Sequence, residues 1–332
     1  MKKIDFLAVG DIVIDAFIKL KDAETLNSHG HSDLCVRFGD KVPYESVDVI
    51  NAVGNSPNAA VSAVRLGLDT ALLSNIGDDQ YGKDCLDALK NNGISTEYLM
   101  IEAGKKTNYH YVLQYGVERT ILVKHTEFDF KFPAFEDTEI SWIYLSSLAE
   151  NSLPYHVEIA EYLKAHSETK LAFQPGTFQI KLGTEKLKDM YAHTEIFFCN
   201  LEEAQKILGL DNKDVKTLSK GLHALGPKIV CISDGPNGAY ASENNGESIW
   251  YTPMYPDTAA PVDRTGAGDA FSSTFTAAIA LGKTVAEALS WGPINSMSVV
   301  QYIGAQAGLL PREKLEELLK IAPENYTVKS IS

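Results

Sequence analysis

The feature that most limits how this chain can fold is the regular alternation of strand-like and helix-like segments along its 332 residues. The predicted core strands cover residues 4–10, 70–77, 140–148, 170–176, 194–200 and 228–235. The predicted helices cover residues 57–68, 81–93, 202–209 and 215–226. Such alternation is typical of an α/β fold with a largely parallel central sheet.

Two regions interrupt this alternation. Residues 16–50 contain short β-like pieces separated by a polar stretch, and residues 107–125 alternate apolar and polar side chains around a turn at Tyr115 and Gly116. Alternation of that kind predicts a two-stranded ribbon with one exposed face. Neither region has the pattern of a strand followed by a helix. Together they predict a small accessory β-sheet.

The charge balance excludes several classes of partner. The formal net charge is -14 and the sequence pI is about 5.0, which argues against binding to nucleic acid or to an anionic membrane surface. No apolar run approaches the roughly 20 residues that span a bilayer. The apolar stretch after Lys2 and Lys3 is too short for a signal segment. We therefore expect a cytoplasmic protein whose partner is a small molecule.

The most informative motif is the Gly-rich segment at residues 262–282, VDRTGAGDAFSSTFTAAIALG, which opens a helix of small residues. Gly266, Ala267 and Gly268 expose backbone N–H groups at the start of this helix, without bulky side chains in the way. Free amides and the positive end of the helix dipole bind anions. The segment therefore predicts an anion site, with Asp269 beside it in the first turn.

A carboxylate next to an anion site requires a reason. As a helix N-terminal residue alone, Asp269 contributes only a few tenths to ~1 kcal/mol. As a general base that takes a proton from an attacking hydroxyl, it would accelerate a reaction by roughly 10²–10⁴-fold. The amides of residues 266–268 would meanwhile stabilise charge on a transferring phosphoryl group. We therefore predict phosphoryl transfer to an alcohol, with Asp269 as the base.

On these residues the sequence resembles the ribokinase-like (PfkB) family of carbohydrate kinases, because DRTGAGDAF closely matches the family's C-terminal signature. The resemblance implies ATP as the phosphoryl donor, an anion hole at residues 266–268 and Asp269 as the catalytic base. Asp263 and Thr265 match positions that often help to hold a monovalent cation. The resemblance therefore also implies K⁺ as a candidate activator.

The N-terminal half carries a second signature of the family. The segment VGNSPNAAVSAVRLG at residues 53–67 resembles one that usually begins with a Gly-Gly pair. Here Gly54 fits the second glycine, whereas Val53 replaces the first. The resemblance implies that Gly54, Asn55 and Asn58 contact the substrate.

The same resemblance implies which residue binds the acceptor, the molecule that receives the phosphoryl group. The spacing of GDIVID places Asp15 on the hydroxyl groups of a sugar, with Asp11 as the nearby alternative. We expect an unphosphorylated sugar such as fructose or ribose. A nucleoside such as adenosine is the alternative, because Tyr109, Tyr111 and Tyr115 on the predicted ribbon could cover a base.

Two later segments resemble the family's nucleotide side. Asn200 and Glu203 in NLEEA match a pair associated with Mg²⁺ and phosphate. An Asn followed three residues later by Glu is also the pattern of a helix capping box. Ser233, Gly235 and Gly238 in ISDGPNGA match the nucleotide-binding turn, which implies contacts with the phosphates or the ribose.

The resemblance covers nearly the whole chain, so it implies one domain over residues 1–332 with three layers, α/β/α. The accessory regions at residues 16–50 and 107–125 would form a small sheet that closes over the sugar as a lid. Such a sheet often pairs with a second subunit, so a homodimer is expected. Closure would exclude water, which would otherwise compete with the sugar as phosphoryl acceptor.

Other phosphate-binding classes lack their motifs here. The chain contains no G-x-x-x-x-G-K-[ST] P-loop, and Gly10 after the first strand is followed by DIVIDAF rather than by the glycines of a dinucleotide-binding fold. A non-catalytic sugar-binding regulator on the same fold is a further alternative. Asp269 argues against it, because a pure binder gains nothing from a base.

Overall fold

The computed structural model describes residues 2–28, 31–116 and 118–331. The predicted domain and accessory regions include residues 1, 29, 30, 117 and 332, which lie outside these ranges. Within the described ranges, no helix is long and apolar enough to cross a bilayer.

The described residues form sixteen strands: β1 (Lys2–Val9), β2 (Val13–Leu20), β3 (Glu24–Ser28), β4 (His31–Cys35), β5 (Tyr44–Val53), β6 (Thr70–Gly77), β7 (Leu99–Glu102), β8 (Asn108–Tyr115), β9 (Glu118–Leu122), β10 (Thr138–Leu145), β11 (Lys170–Phe173), β12 (Thr194–Asn200), β13 (Ile229–Ser233), β14 (Ala239–Glu243), β15 (Ser248–Thr252) and β16 (Lys329–Ser330). They also form ten α-helices: α1 (Asn55–Arg65), α2 (Gln80–Asn91), α3 (Leu153–Ala165), α4 (Thr177–Leu182), α5 (Lys188–Ala192), α6 (Leu201–Leu208), α7 (Val215–His223), α8 (Ala267–Ala280), α9 (Val285–Val299) and α10 (Arg312–Lys320).

The central sheet has ten strands in the order β16-β15-β14-β13-β12-β11-β10-β1-β6-β7. The strands from β13 to β7 in this order pair in parallel, and β14, β15 and β16 add an antiparallel edge. Strand β6 is buried at every position, as expected for a strand that helices cover on both faces. The predicted α/β class with a largely parallel sheet is confirmed.

Helices cover both faces of this sheet and divide the core into two hydrophobic clusters. Alternate side chains of β1 point to opposite faces, so Phe6 and Ala8 belong to one cluster and Leu7 and Val9 to the other. Helices α1, α8 and α9 contribute to the first cluster, and α3, α5 and α7 to the second. This arrangement confirms the predicted three layers.

The packing of helix α8 positions the Gly-rich segment. Phe271 and Phe275 on α8 pack against Phe198 of β12, with ring centroids 6.5 and 5.8 Å away. Helix α9 approaches the same helix at Gly292, where a Cβ would lie 2.5 Å from the Phe271 ring. Anchored in this way, the first turn of α8 lies at the carboxyl ends of the parallel strands.

A separate four-stranded sheet has the order β5-β2-β8-β9. Its strands β2 and β5 extend to Val13 and Val53, which pair with each other beyond the limits predicted from the sequence. Strands β8 and β9 form the predicted antiparallel ribbon, in which Tyr115 pairs with Glu118. Strands β3 and β4 form a hairpin of their own.

One face of this sheet, which we call the inner face, meets the body of the molecule. Asp15 pairs with Ile50 of β5 and with His110 of β8, and residues in register across a sheet share a face. Ile50 lies against the loop after α9, because a Cβ on Gly304 would be 2.3 Å from Ile50 Cδ1. Asp15 and His110 therefore point toward the same interior.

The opposite face, which we call the outer face, is apolar and largely exposed. The next row of the register joins Val49, Ala16, Tyr111 and Leu122 across all four strands. Val49, Tyr111 and Leu122 are 52%, 48% and 52% exposed. The sheet thus has a polar inner row beside an apolar outer row.

Candidate active site

The N-terminus of α8 is where the sequence predicts an anion site. Gly266 precedes the helix with a φ of 81°, where a residue with a side chain is disfavoured. A Cβ there would also lie 2.3 Å from the Cβ of Ala305. At Gly268 a Cβ would meet only Gln174 Nε2, at 3.9 Å, so open space lies before the first turn. The first N–H groups of a helix have no intrahelical partner, and of residues 266–268 Gly268 lines the cleft described below.

Asp269 lies in this first turn, and its carboxylate is the centre of a hydrogen-bond network. Asn55 Nδ2 donates to Oδ1 and Asn58 Nδ2 donates to Oδ2, each at 2.8 Å. Gln174 Nε2 also donates to Oδ1, at 3.2 Å. A carboxylate offers about four lone-pair positions. The three amides therefore leave room for one hydroxyl group.

Two of these amides are themselves oriented by hydrogen bonds. The Oδ1 of Asn58 accepts from Gln306 Nε2 at 3.0 Å. The Oε1 of Gln174 accepts from the Tyr144 hydroxyl and from Ser272 Oγ. Because each carbonyl oxygen already faces a donor, each NH₂ group turns toward the carboxylate. The chain itself thus fixes the position of the predicted base.

The electrostatic environment also suits a base. Burial raises the pKa of Asp269 above its ordinary value, although the amide hydrogen bonds oppose this shift. A general base works best when its pKa approaches the operating pH. The direction of the shift therefore favours proton transfer.

A cleft of about 330 Å³ opens beside this carboxylate, at the carboxyl ends of β11, β12 and β13. Open α/β sheets bind their ligands at this edge. Six of the predicted site residues line the cleft: Asn55, Asn200, Glu203, Ser233, Gly268 and Asp269. The structure therefore brings the predicted base, anion site and part of the predicted nucleotide site to one cavity.

Asn200 and Glu203 form the capping box that the sequence offered as their alternative interpretation. Asn200 Oδ1 accepts from the Glu203 N–H at 2.8 Å, and Glu203 Oε2 accepts from the Asn200 N–H at 2.9 Å. Burial raises the pKa of the Glu203 carboxyl. Within the described residues, no group of three or more His, Cys, Asp or Glu side chains is arranged to hold a metal ion. A link between Glu203 and Mg²⁺ stays a prediction.

Gly235 and Gly238 form the turn between β13 and β14 and lie outside the walls of the cleft, whereas Ser233 lines it. Gly238 has a φ of 103°, and a Cβ there would lie 2.2 Å from the carbonyl oxygen of Thr252. The turn itself therefore requires glycine at this position. Contact of these two glycines with a nucleotide stays a prediction.

Asp263 and Thr265, the predicted cation pair, connect two loops. Asp263 Oδ1 accepts from the Thr265 N–H at 3.0 Å and from Thr265 Oγ1 at 2.7 Å. Asp263 Oδ2 accepts from the Gly304 N–H at 3.0 Å. These bonds hold the loop after α9 against the start of α8, next to Gly266. Binding of a monovalent cation there stays a prediction.

The predicted substrate residues lie where β1, β2 and α1 meet. Gly54 has a φ of 116°, and a Cβ there would lie 2.8 Å from the Asp11 carbonyl oxygen, so only glycine allows this approach. Asp15 Oδ1 lies 3.5 Å from His110 Nδ1, and Asp11 Oδ2 lies 3.3 Å from His125 Nδ1. Each of the two carboxylates therefore faces a histidine from the predicted ribbon.

The tyrosines that could have covered a nucleoside base point away from this region. Tyr109 and Tyr111 flank His110 along β8, so they lie on the outer face. Tyr109 packs against Tyr81 of α2, with ring centroids 4.8 Å apart. Tyr115 shares their side of the strand. Strand alternation thus places these rings on the face opposite Asp15, and their covering of a base stays a prediction.

Gln174 and Gln306 belong to the hydrogen-bond network around Asp269 but were not among the residues predicted for the site. Gln174 follows a core strand at the carboxyl edge of the sheet, a position that could have revealed it. Gln306 is 248 residues from Asn58 in the sequence, and no local pattern announces their contact. From the sequence, one of His110 and His125 on the ribbon could meet the substrate, but their pairing with Asp15 and Asp11 was not predicted, because it depends on how distant segments align.

The chain is similar to known proteins in sequence and in fold. Residues 28–312 match the sequence profile of the pfkB family carbohydrate kinases. The chain is 30% identical to a ribokinase of Bacillus subtilis over 271 residues, which cover 80% of this chain and 87% of that protein. It is similar in structure to an Arabidopsis thaliana ribokinase complexed with ribose and ATP, with a TM-score of 0.79 at 19% identity, covering 97% of this chain and 100% of that one. A nucleoside kinase of Methanocaldococcus jannaschii is similar with a TM-score of 0.76 at 18% identity, covering 96% and 98% of the two chains.

Proposed function

Because the chain belongs to the pfkB family of carbohydrate kinases, we propose that it transfers the γ-phosphoryl group of ATP to a hydroxyl of an unphosphorylated sugar, similar in size to fructose or ribose. The position of Asp269 carries this proposal. Its carboxylate borders the same cleft as Gly268, at the start of α8. A hydroxyl bound there lies between a base and an anion site.

In the proposed reaction, Asp269 accepts the proton of the sugar hydroxyl. The hydroxyl oxygen forms a bond to the γ-phosphorus, while the bond from that phosphorus to the β–γ bridging oxygen breaks and its electron pair remains with ADP. The amides of residues 266–268 stabilise the charge on the transferring group. Asn58 and Gln174 keep the carboxylate in place during the step.

The residues present fit ATP together with Mg²⁺. Open space before Gly268 leaves room for a phosphate at the helix N-terminus. When bound, Mg²⁺ neutralises phosphate charge and is held largely by the phosphates themselves, with one or two carboxylates. Glu203 is the carboxylate in the cleft wall besides Asp269. It would act indirectly, because its Oε2 caps α6.

K⁺ would act at Asp263 and Thr265 in this proposal. Those side chains already join the loop at Gly304 to the start of α8. A bound cation would add to that connection and stiffen the anion site. Its effect would therefore appear in turnover more than in sugar affinity.

The inner face of the accessory sheet favours a sugar over a nucleoside. It presents Asp15 and His110, which suit hydroxyl groups, while Tyr109 and Tyr111 lie on the other face. A non-catalytic regulator has less support, because the oriented amides around Asp269 and its raised pKa serve proton transfer.

A coupled ADP-release assay with ATP and Mg²⁺ tests the proposal. The acceptor panel is D-ribose, D-fructose, D-fructose 6-phosphate and adenosine, each with and without K⁺. We expect release of ADP that depends on an unphosphorylated sugar and is lost in Asp269→Asn. Release with adenosine alone would favour the nucleoside kinase, and sugar binding by calorimetry without ADP release would favour the regulator.

We also propose that two copies of the chain associate through the outer face of the four-stranded sheet. The inner face of the same sheet closes over the sugar. Val49, Tyr111 and Leu122 are apolar and exposed, and they lie in one row on three of the four strands. Exposed apolar patches mark association sites. Light scattering with Val49→Lys tests this: wild type should be a dimer and the variant a monomer. A monomeric wild type would contradict it.

The cytoplasmic location stays a prediction.

A further inference from the structure

Two carboxylate–imidazole pairs lie together beneath the four-stranded sheet. His110 faces Asp15 and His125 faces Asp11, at the distances given above. The two imidazole rings also contact each other edge-on, with centroids 5.4 Å apart and an interplanar angle of 77°. The four side chains therefore form one cluster, which we call the His–Asp cluster.

The cluster contains buried polar atoms that the protein leaves without a hydrogen bond. Within the described residues, Asp11 Oδ2, Asp15 Oδ1, His110 Nε2 and His125 Nδ1 have no hydrogen-bond partner. Burial raises the pKa of Asp11, and its contact with His125 Nδ1 at 3.3 Å offsets only part of that rise. Asp11 is only 7% exposed. Buried polar groups in folded proteins nearly always find a partner, and each exception requires an explanation.

The cluster adjoins the cleft that contains the proposed base. The Asp11 N–H donates to the carbonyl oxygen of Ser147 at 3.0 Å, and Ser147 lines the cleft. His125 contacts Phe178 edge-on, with centroids 5.8 Å apart, and Phe178 follows Thr177 of the cleft wall. A molecule that places one hydroxyl at Asp269 therefore extends toward the cluster.

The chemistry of the unpartnered atoms restricts what can satisfy them. Carboxylate oxygens accept hydrogen bonds, whereas an imidazole can donate or accept. A row of hydroxyl groups does both and so matches all four atoms. An anionic group fits poorly beside two carboxylates, and burial already raises the pKa of Asp11, so a further negative charge would add to that cost.

We propose that Asp11, His110 and His125 determine substrate specificity together with Asp15. This inference rests on the proposed kinase function. The His–Asp cluster binds the hydroxyl groups of an acceptor that carries several neighbouring hydroxyls and no phosphate. The family resemblance implied one carboxylate at this position, Asp15, with Asp11 as its alternative. The three other residues extend the acceptor site from one carboxylate to a surface that contacts several hydroxyls.

The test observes the imidazole nitrogens of the wild-type protein by NMR, with His110→Gln and His125→Gln used to assign their signals. D-ribose, D-fructose, D-fructose 6-phosphate and adenosine are added separately. We expect an unphosphorylated sugar to shift both signals. D-fructose 6-phosphate and adenosine should bind more weakly. The signal of His193, whose Nδ1 contacts the carbonyl oxygen of Asp189 on α5 outside the cluster, should not move.

Kinetics of the same variants provide the second measurement. Each substitution should raise the KM for the sugar by about 10-fold, as expected for lost hydrogen bonds to a charged pair. The KM for ATP should remain within about twofold. His193→Gln serves as the matched control and should change neither constant.

The outcomes separate this inference from the proposed function. If a sugar shifts both signals but no acceptor yields ADP, the binding site stands and the kinase proposal fails. If a sugar is phosphorylated without moving either signal, the inference is wrong while the kinase proposal stands. Preference for the sugar phosphate, or no shift with any compound, also overturns the inference.

Discussion

The two sides of the site differ in how fully the protein satisfies its own polar groups. On the phosphoryl-transfer side, three amides donate to the Asp269 carboxylate, and two of them are held by further donors. On the acceptor side, buried atoms of Asp11, Asp15 and His110 lack hydrogen bonds within the described residues. One side is complete within the protein, whereas we propose that a sugar completes the other.

This difference assigns separate tasks to the two sides. Dipoles that are already oriented stabilise developing charge without reorganising, so the phosphoryl-transfer side contributes to rate. Polar atoms that await a partner penalise any ligand that cannot supply one, so the acceptor side contributes to specificity. Substitutions on the first side should therefore change kcat, and substitutions on the second should change the KM for the acceptor.

The largest effect should come from Asp269→Asn. Removal of the base should lower kcat by at least ~10²-fold, while ADP binding measured by calorimetry stays near the wild-type value. Asp257→Asn, an exposed carboxylate before α8, is the matched control. Turnover near that of wild type would show that the oriented carboxylate is not the base.

Asp15→Ala should have the next largest effect and should fall on the acceptor side alone. Loss of hydrogen bonds to a charged group costs about 1.5–3 kcal/mol, which predicts a rise of roughly 10–100-fold in the sugar KM with little change in the KM for ATP. Asp87→Ala, at an exposed position of α2, is the control. Equal changes in both KM values would remove Asp15 from the sugar site.

Gln306→Glu tests whether the phosphoryl-transfer side depends on its outer donors. Glutamate cannot donate to Asn58, whose amide would then lose its orientation toward Asp269, and the added negative charge would raise the pKa of Asp269 further. A base must be deprotonated, so kcat/KM is present above this pKa and is lost as the pH falls through it. We expect the acid limb of kcat/KM to move upward by roughly one pH unit.

The pH profile distinguishes this effect from a general loss of structure. A variant that merely loosens the loop would lower activity at every pH and leave the midpoint of the acid limb unchanged. Gln301→Glu, in the same loop but bonded to Thr258, should leave the profile as in wild type. An unchanged midpoint in Gln306→Glu would show that Gln306 does not act through Asn58.

The same contrast explains how much the sequence could predict. The fold class followed from alternating patterns, and Asp269 with Gly266 followed from a contiguous motif, because both depend on neighbours in the chain. Asn200 and Ser233 were singled out by the family resemblance of their segments, and both line the cleft. Most residues of the proposed phosphoryl-transfer side could therefore be predicted from local sequence patterns.

The acceptor side depends on contacts that no local pattern encodes. His110 meets Asp15 only because β8 aligns with β2 in one register, and a shift by one residue would have put Tyr109 or Tyr111 in its place. The sequence alone therefore could not show which of these side chains shares a face with Asp15. Gln306 contacts Asn58 although the two residues are far apart in the sequence. Arg65 holds the loop that carries Gln306 by donating to the carbonyl oxygens of Gln306 and Leu309.

The smallest expected effect concerns Asn200, where capping and nucleotide binding must be separated. Asn200→Ala removes the side-chain acceptor of the capping box and should lower the free energy of unfolding by ~1 kcal/mol, measured in denaturant. Asn200→Asp retains the cap and should restore that stability. If Asn200 also lies beside the phosphates, the aspartate adds a like charge and should raise the KM for ATP several-fold more than alanine does. A KM for ATP equal to that of wild type in Asn200→Asp would leave Asn200 with the helix cap alone, and the nucleotide role would pass to the other residues of the cleft.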